Sequence, residues 1–443
     1  MSSVAPTLRP RGAVPAGSVR GGAAASRTPR ARAEQPRTGT LQRERHEPEY
    51  GLLVAVVALA AIGILMVYSS SAMKSLLQRD DTFAIVGPQI QWAALGVVAM
   101  VLMMRVDYRY LRLASVPLLL IAIVGLVLVF VPALNVVVGG SARWLRIGPL
   151  PAVHPAEFTK LALVIYLAHW FAKRGAAVNG LLSGTLPFLV IAGPVVVLVL
   201  LEPDLGTSAV VAFTAFTMFF VAGARMLHLV ALAAAAVPAV ALMFVRGYQV
   251  DRITAWLNPW ADPDGLGFHS VQGFLALALG GVFGAGLGES RLAGGLFLPN
   301  ASNDFIFAII GEEFGLVGAT LVVGLFLAFG YLGVRTALAA PDTFGAMLAV
   351  GITAWICLQA FINIGVVVGL IPVTGIPLPF ISAGGSSLII SFAAVGILLS
   401  VSRETVERGT WNDAPADRGR RNGRTHLPGA GRRPLPPRAS GRA

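Results

Sequence analysis

Ten apolar runs recur along this chain, and each is long enough to cross a lipid bilayer as an α-helix, which takes about 17–25 residues. The chain is 56% hydrophobic and only 13% charged, and its mean hydropathy is +0.74. These values exclude an ordinary soluble protein of 443 residues. The sequence therefore predicts an all-α polytopic membrane protein with about ten transmembrane helices. The predicted spans are about 51–71, 85–104, 113–133, 156–172, 184–201, 205–223, 227–245, 305–334, 344–369 and 386–402.

Two of the connections between spans are informative. Only Glu202, Pro203 and Asp204 separate the fifth span from the sixth, and the proline with its flanking charges indicates a tight turn there. Between spans 7 and 8 lies the longest connection, residues 246–304. Loops of that length inside a compact fold are usually functional or disordered. The aromatic residues and glycines of this loop predict an amphipathic or re-entrant helix followed by a glycine-rich turn.

The basic residues are distributed very unevenly between the two sides of the ten-span arrangement. One side, which includes both tails, holds 26 of the 34 lysines and arginines. Basic residues favour the cytoplasmic side, so both tails are predicted to be cytoplasmic and the 246–304 loop extracytoplasmic. Residues 1–49 and 404–443 read as disordered basic tails on either side of a membrane domain at 50–403. The net charge of +12 fits this topology together with contact with anionic lipid heads, and no nucleic-acid module accompanies it.

An acid-bearing motif runs from Pro299 to Gly315, where a polar loop turns into a strongly apolar helix. Asn303 is predicted to cap that helix, which places Asp304 in its first turn, where the helix dipole favours negative charge. Glu312 and Glu313 follow inside the helix, and carboxylates at membrane depth usually mark a pathway or a site. Capping and function are both open for Asp304 from the sequence alone.

Further polar clusters lie on the predicted outer side. Arg143 and Arg146 flank a tryptophan, a pattern that suits either a phosphate group or anchoring at the membrane interface. Glu157 and Lys160, three residues apart at the start of the fourth span, can form a buried ion pair or face a common cavity. Asp204 stands at the mouth of the sixth span, where capping is again the alternative to a functional role.

The connection before the last span, Pro372–Ser387, is apolar but rich in proline and glycine. Such a segment is predicted to dip into the outer membrane face and to be covered by protein. Ser382 and Ser386 are candidate contacts for a polar headgroup, although packing of the loop is the alternative role. Cys357 is the only cysteine, so no disulfide can form within one chain.

Taken together, these segments resemble the SEDS family of bacterial cell-wall polymerases, and most of all its division and sporulation branch. The resemblance covers residues 50–403. The motifs that carry it are Gly140–Trp144, Pro155–Leu161, Glu202–Thr207, Asn258–Trp260, Gly280–Arg291, Asn303–Gly315 and Asn363–Ser387. The last two are the most specific. Small departures occur, such as Glu202 where the family usually has glutamine.

The resemblance implies a peptidoglycan glycosyltransferase that polymerises lipid II into β-1,4-linked glycan strands and releases undecaprenyl diphosphate. It implies that Asp304 is the catalytic residue, a base for the acceptor hydroxyl. Arg143, Lys160 and Arg146 are candidates to balance the charge of the departing diphosphate, with Glu157, Asp204, Ser382 and Ser386 as further substrate contacts. A divalent cation, Mg or Mn, is possible at the diphosphate, although no carboxylate cluster in the sequence requires one.

The resemblance also implies partners and a location. A class B penicillin-binding protein would cross-link the strands, and other division proteins would assemble with the chain at the septum of the cytoplasmic membrane. Three alternatives remain open: a lipid II flippase, an elongation-type polymerase, and a non-catalytic scaffold. A flippase would need polar groups accessible from both sides, whereas the polar clusters predicted here gather on one side.

Overall fold

The computed structural model describes residues 47–138, 141–146, 148–149, 151–244 and 247–404. Within these ranges the chain forms thirteen α-helices and one β-hairpin. The helices are α1 (Tyr50–Arg79), α2 (Val86–Arg105), α3 (Tyr110–Leu128), α4 (Pro155–Arg174), α5 (Leu186–Leu201), α6 (Leu205–Val221), α7 (Met226–Phe244), α8 (Gly247–Leu257), α9 (Phe268–Gly280), α10 (Arg291–Gly294), α11 (Ile306–Ala339), α12 (Thr343–Val367) and α13 (Gly385–Ser402).

The helical polytopic architecture predicted from the apolar runs is confirmed. Each of the ten predicted spans coincides with a helix, α1–α7 or α11–α13. Among the described residues, eight helices are long and apolar enough to cross a membrane, and the apolar segments of α6 and α7 are shorter. The tight turn predicted between spans 5 and 6 is also present, because α5 ends at Leu201 and α6 begins at Leu205. Most of the predicted tails, residues 1–46 and 405–443, lie outside the described residues.

Helix α12 is one of the most enclosed of the long helices. Leu348, Ile352 and Trp355 are fully buried along it, and α12 packs against α4, α6 and α11. Because it is covered on several sides, its few polar residues lie inside protein rather than against lipid. Two of them, Gln359 and Asn363, are about 1% exposed and belong to the polar site described below.

The two ends of the described chain meet at one end of the helix bundle. The backbone N–H of Glu49 donates to the Ser402 hydroxyl at 3.2 Å. A network of ion pairs lies at this same end, where Arg109 contacts Asp342 and Glu404. Both predicted tails therefore begin at the same end, as an even number of crossings requires.

The segment between α7 and α11 carries three short helices, α8 to α10. The predicted helix followed by a glycine-rich turn is present as α9 and residues 281–290. This turn packs backbone to backbone against α11: the N–H groups of Leu316 and Val317 donate to the carbonyls of Gly281 and Val282. The approach requires glycine, since a Cβ on Gly284 would overlap the carbonyl oxygen of Glu313.

Helix α11 breaks where it receives this turn. Gly315 has φ of 65°, in the left-handed region that favours glycine. The two acids just before the break are engaged by the protein. Glu312 accepts hydrogen bonds from the Ser290 hydroxyl and from the N–H groups of Arg291 and Leu292. Glu313 accepts one from Ser69 of α1. Both carboxylates thus join α11 to neighbouring segments.

Residues 371–384 form the irregular segment that was predicted to enter the bundle, called here the re-entrant loop. Phe380 and Ile381 are buried and pack on Gly63, which lies near the middle of α1. The Phe380 ring also lies 6.2 Å from that of Phe329 in α11. The loop is therefore covered by protein, as irregular backbone at membrane depth must be.

One element was not predicted. Strands β1 (Asn135–Val138) and β2 (Ser141–Leu145) form an antiparallel hairpin between α3 and α4. Hydrogen bonds between Leu145 and Val153 extend it toward the start of α4. The strands are four and five residues long, too short for an alternating pattern to stand out beside two apolar helices. The hairpin matters because Arg143 projects from it toward the site.

Candidate active site

Four segments converge at the end of the bundle opposite the chain ends. They are the hairpin with His154, the turn from Glu202 to Thr207, the stretch from α8 to the start of α11, and the re-entrant loop. Asp304 lies where the last two segments meet, with its Oδ2 next to Gly375. Gly206, at the start of α6, packs on Ile376 of the re-entrant loop. This convergence brings Asp204 and Asp304 into one electrostatic environment, as their interaction shows.

Asp304 is partly buried and does not cap α11. That helix begins at Ile306, and its N-cap is Phe305, which makes no side-chain cap. The predictions that Asn303 caps the helix and that Asp304 lies in its first turn are therefore wrong. The main chain of these residues is instead engaged from outside the helix. The Ser382 hydroxyl donates to the Asn303 carbonyl at 2.7 Å, and the Asn363 amide donates to the Asp304 carbonyl at 2.8 Å.

The pKa of Asp304 is raised to about 6, chiefly because burial penalises the carboxylate and also because Asp204 is nearby. Two cations, Arg143 and Arg252, act in the opposite direction. A carboxyl with this pKa is mostly ionised at neutral pH yet close enough to neutrality to take up a proton. Those are the properties of a general base.

Asp204, by contrast, does cap its helix. Its Oδ1 accepts the N–H of Thr207 at 3.0 Å, and its Oδ2 lies 3.5 Å from Nε2 of His154. Burial lowers the pKa of His154 despite the nearby acid, so its ring is neutral at neutral pH. The Trp144 ring packs edge-on against His154, with centroids 5.4 Å apart. The capping alternative raised for Asp204 is thus realised, with the carboxylate still exerting its field on Asp304.

Arg143 reaches the same turn from the hairpin. Its Nε donates to the carbonyl of Glu202 at 3.2 Å, and its Nη2 donates to the carbonyl of Pro203. The Glu202 side chain is fully buried, and both of its carboxylate oxygens lack a partner among the described residues. Burial, reinforced by Asp204, raises the pKa of Glu202 to about 8, so it stays protonated at neutral pH.

Glu157 and Lys160 form the buried ion pair that was one of the two predicted readings. Lys160 Nζ lies 2.9 Å from Glu157 Oε1 and 2.7 Å from Gln359 Oε1, and it stands 5.1 Å from the centre of the Trp355 ring. Gln359 in turn donates to the carbonyl of Pro377 in the re-entrant loop at 3.0 Å. Lys160 is 3% exposed. Its contacts therefore connect α4, α12 and the loop.

The remaining predicted contacts differ in how accessible they are. The Ser382 hydroxyl is buried and accepts the N–H of Leu378 at 2.8 Å while donating to Asn303. Ser386 is partly exposed in the first turn of α13, and Arg146 has an exposed side chain beyond the hairpin. Ser382 is consequently part of the framework around Asp304, whereas Ser386 and Arg146 lie at the surface.

Two residues of the site were not singled out from the sequence. Arg252 of α8 donates to the carbonyl of Val373 at 3.0 Å and acts on Asp304 electrostatically. Asn363 of α12 holds the Asp304 carbonyl. The sequence could have indicated both residues. Arg252 is one of few basic residues on the predicted outer side, and Asn363 is a polar residue inside an apolar span.

The donor set for a metal ion is limited. Among the described residues, no group of three or more histidine, cysteine, aspartate or glutamate side chains is placed to hold a metal ion. Magnesium is commonly bound through one or two carboxylates together with substrate phosphates. The described residues of this site therefore supply no metal-binding cluster of their own.

Comparison with known proteins identifies the chain. The model of the family FTSW_RODA_SPOVE, described as cell cycle proteins, matches residues 50–407. The chain belongs to this family. Its match confirms the resemblance seen in the sequence motifs and has nearly the same extent as the predicted membrane domain.

Individual family members are similar to this chain over most of their length. The chain is 43% identical over 361 residues to stage V sporulation protein E of Bacillus subtilis, covering 81% of this chain and 98% of that protein. It is 40% identical to the probable peptidoglycan glycosyltransferase FtsW of Trichlorobacter lovleyi, covering 79% and 92%.

Solved structures of family members share the fold. One belongs to a peptidoglycan synthase complex described as coordinating polymerization and crosslinking; it has a TM-score of 0.67, 30% identity, and covers 80% of this chain and 98% of that one. Another is the rod shape determining protein RodA of Thermus thermophilus, with a TM-score of 0.60, 28% identity, and 81% and 98% coverage.

Proposed function

We propose that this chain is a peptidoglycan glycosyltransferase that polymerises lipid II into β-1,4-linked glycan strands, with Asp304 as the general base. The observation that carries the proposal is the placement of Asp304. Its carboxylate is not engaged in capping α11, its pKa is about 6, and two arginines act on it. The relatives named as probable peptidoglycan glycosyltransferases support the reaction class.

In the proposed step, the acceptor 4-hydroxyl of one sugar attacks the anomeric carbon of the donor. Asp304 takes the hydroxyl proton as the new C–O bond forms, and the bond to the lipid diphosphate breaks with its electron pair leaving on oxygen. A single displacement inverts an α-linked donor into a β linkage, by the logic of inverting glycosidases. The leaving group already carries phosphate, so its expulsion needs cations rather than a protein acid.

Arg143 and Arg252 are the cations we assign to the diphosphate. A guanidinium has five N–H donors, so Arg143 can hold the carbonyls of Glu202 and Pro203 and still bind a phosphate oxygen. Lys160, predicted for the same role, is enclosed by Glu157, Gln359 and Trp355. We therefore assign Lys160 to holding α4, α12 and the re-entrant loop together. A Mg or Mn ion at the diphosphate remains a proposal, with the substrate phosphates as its main ligands.

The flippase alternative is less well supported. Its support in the sequence was the presence of charged residues inside the spans: Glu157, Lys160, Glu312 and Glu313. Glu157 and Lys160 pair with each other inside α4, and Lys160 also contacts Gln359 of α12. Glu312 and Glu313 bond to neighbouring segments. Acids and bases committed to such contacts are poorly suited to carry a headgroup from one side to the other.

We place the reaction at the outer face of the cytoplasmic membrane, with both tails cytoplasmic, because of the distribution of basic residues. A role in division is favoured over elongation by identities of 40% and 43% to FtsW and sporulation relatives, compared with 28% to RodA. We further propose a class B penicillin-binding protein as the cross-linking partner at the septum, together with other division proteins. The similarity to a peptidoglycan synthase complex supports that partner.

The decisive experiment compares wild type with Asp304→Asn, each purified with its transpeptidase partner. Polymerisation of lipid II would be followed on gels, and lipid II flipping would be followed in liposomes. We expect glycan strands from wild type only. Strands from Asp304→Asn at the wild-type rate would refute the catalytic assignment, and flipping without polymerisation by wild type would restore the flippase. Activity in the presence and absence of EDTA tests the metal proposal in the same assay.

A further inference from the structure

Three consecutive carbonyls before α11 are held by groups from elsewhere in the chain. The N–H of Ala383 donates to the Ser302 carbonyl at 2.9 Å, and the Ser382 hydroxyl donates to the Asn303 carbonyl at 2.7 Å. Asn363 donates to the Asp304 carbonyl at 2.8 Å. The main chain on both sides of the Asp304 Cα is therefore held from outside its own helix.

Asn363 is the buried member of this set. It is about 1% exposed, and its amide nitrogen donates to two carbonyls, those of Asp304 and Ile376, the second at 2.7 Å. Ile376 follows Gly375, whose backbone faces the Asp304 carboxylate. The Asn363 side chain thus ties both Asp304 and Ile376 of the re-entrant loop to α12.

We propose that Asn363 is a positioning residue, which with Ser382 holds the main chain of residues 302–304 so that the Asp304 carboxylate is correctly placed for proton transfer. The inference rests on the proposed role of Asp304 as base. Aspartate has only two side-chain torsions, so the position of its carboxylate follows closely from that of its backbone. Misplacement of a catalytic group by about 1 Å can cost about 10²-fold in rate.

The test uses Asn363→Ala in the full-length protein, with lipid II polymerisation as readout. We expect kcat to fall about 10- to 100-fold while KM changes little, because the cations assigned to the diphosphate are untouched. The acid limb of the pH–rate profile should also shift, since a displaced carboxylate experiences Asp204, Arg143 and Arg252 at different distances. A loss of packing alone would not move that limb.

Ser400→Ala serves as the matched control. Ser400 is also buried, and its hydroxyl donates to a distant backbone carbonyl, that of Val106 at 2.7 Å, at the opposite end of the bundle. We expect both variants to lower the melting temperature, with kcat retained only by Ser400→Ala. An Asn363→Ala protein with wild-type kcat and pH profile would overturn the inference.

Two further variants separate this inference from the proposed function. If Asp304→Asn is inactive, adding Asn363→Ala should cause no additional loss, because both act on the same group. If Asp304→Asn is active, the proposed function itself fails. Should Asn363→Ala not fold, Ser382→Ala decides: a folded protein with wild-type kcat and pH profile refutes the positioning role, and a reduced kcat with a shifted acid limb supports it.

Discussion

Two turns at the same end of the bundle each place an aspartate just before a long helix, yet the two acids have different tasks. Asp204 bonds to the N–H of Thr207 and thereby begins α6. Asp304 precedes α11 without capping it, because residues 302–304 are held by Ala383, Ser382 and Asn363. An acid at a helix start therefore becomes available for chemistry when other groups hold its backbone.

The turns also differ in how their charge is balanced. Around Asp204, the guanidinium of Arg143 is directed at the backbone carbonyls of Glu202 and Pro203, and buried Glu202 keeps its proton. Around Asp304, burial and Asp204 raise the pKa while Arg143 and Arg252 lower it. Asp204 and Arg143, which bonds to the turn of Asp204, thus also adjust the acidity of Asp304 in the other turn. This coupling can be tested directly.

The largest expected difference between the turns is in catalysis. Asp304→Asn should reduce lipid II polymerisation about 10²–10⁴-fold, the usual cost of removing a general base. Asp204→Asn should keep activity within roughly tenfold, since asparagine caps helices as well as aspartate does. Both rates would be measured on purified protein at pH 7.5. Equal losses in the two variants would mean that the turns do not differ in the way proposed.

The next largest expected effect is on the pH dependence of stability, and it comes from Glu202. Folded Glu202 keeps its proton up to a pKa of about 8, whereas the unfolded chain releases it near 4.5. Between these values unfolding releases a proton, so rising pH favours unfolding. The stability linked to this group is full below pH 4.5 and is lost as pH rises through about 8. The slope is at most ~1.4 kcal/mol per pH unit.

Glu202→Gln should remove the loss of stability that Glu202 causes as pH rises. Melting temperatures of wild type and variant, measured from pH 5 to 9, should diverge as pH rises, with the variant the more stable at alkaline pH. Parallel curves would show that Glu202 is ionised in the folded protein. Activity at pH 7 should change little, because the wild-type side chain is already neutral there.

The coupling between the turns should appear in the pH–rate profile. Polymerisation requires ionised Asp304, so activity should rise through a pKa of about 6 and reach about a tenth of its maximum at pH 5. Asp204→Asn removes a negative charge and should move this limb to lower pH. Arg143→Gln removes a positive charge and should move it to higher pH. Shifts of the same sign in both variants would contradict the assigned electrostatics.

The smallest expected effect is on stability. Here replacement of Asp204 should cost more than replacement of Asp304, the opposite of their order in catalysis. Asp204→Ala removes a cap and should lower the free energy of unfolding by about 1 kcal/mol. Asp304→Ala removes no cap and should leave stability unchanged or slightly raised. Denaturation of both variants in the same detergent would check this, and a larger loss for Asp304→Ala would indicate that its carboxylate supports α11 after all.

Much of this protein follows from its sequence. The lengths of the apolar runs predict ten helices, because a helix in lipid needs a fixed number of apolar residues, and ten helices are found at those positions. The turn at Pro203 and the re-entrant loop were also predictable, since a proline with flanking charges in the first and closely spaced prolines and glycines in the second disfavour regular helix. The motif from Pro299 to Gly315 made Asp304 a candidate, its catalytic role was implied by the family resemblance, and the family match confirms that resemblance.

What the sequence could not decide is which groups meet. Asp204 and Asp304 have the same local pattern, and their different roles come from residues about 60 to 80 positions away, Asn363 and Ser382. The hairpin that carries Arg143, the enclosure of Lys160 by Gln359 and Trp355, and the approach of Arg252 to Asp304 likewise depend on contacts between distant segments. Local patterns report the preferences of one segment, whereas burial, capping and pKa are set by the neighbours that the tertiary fold supplies.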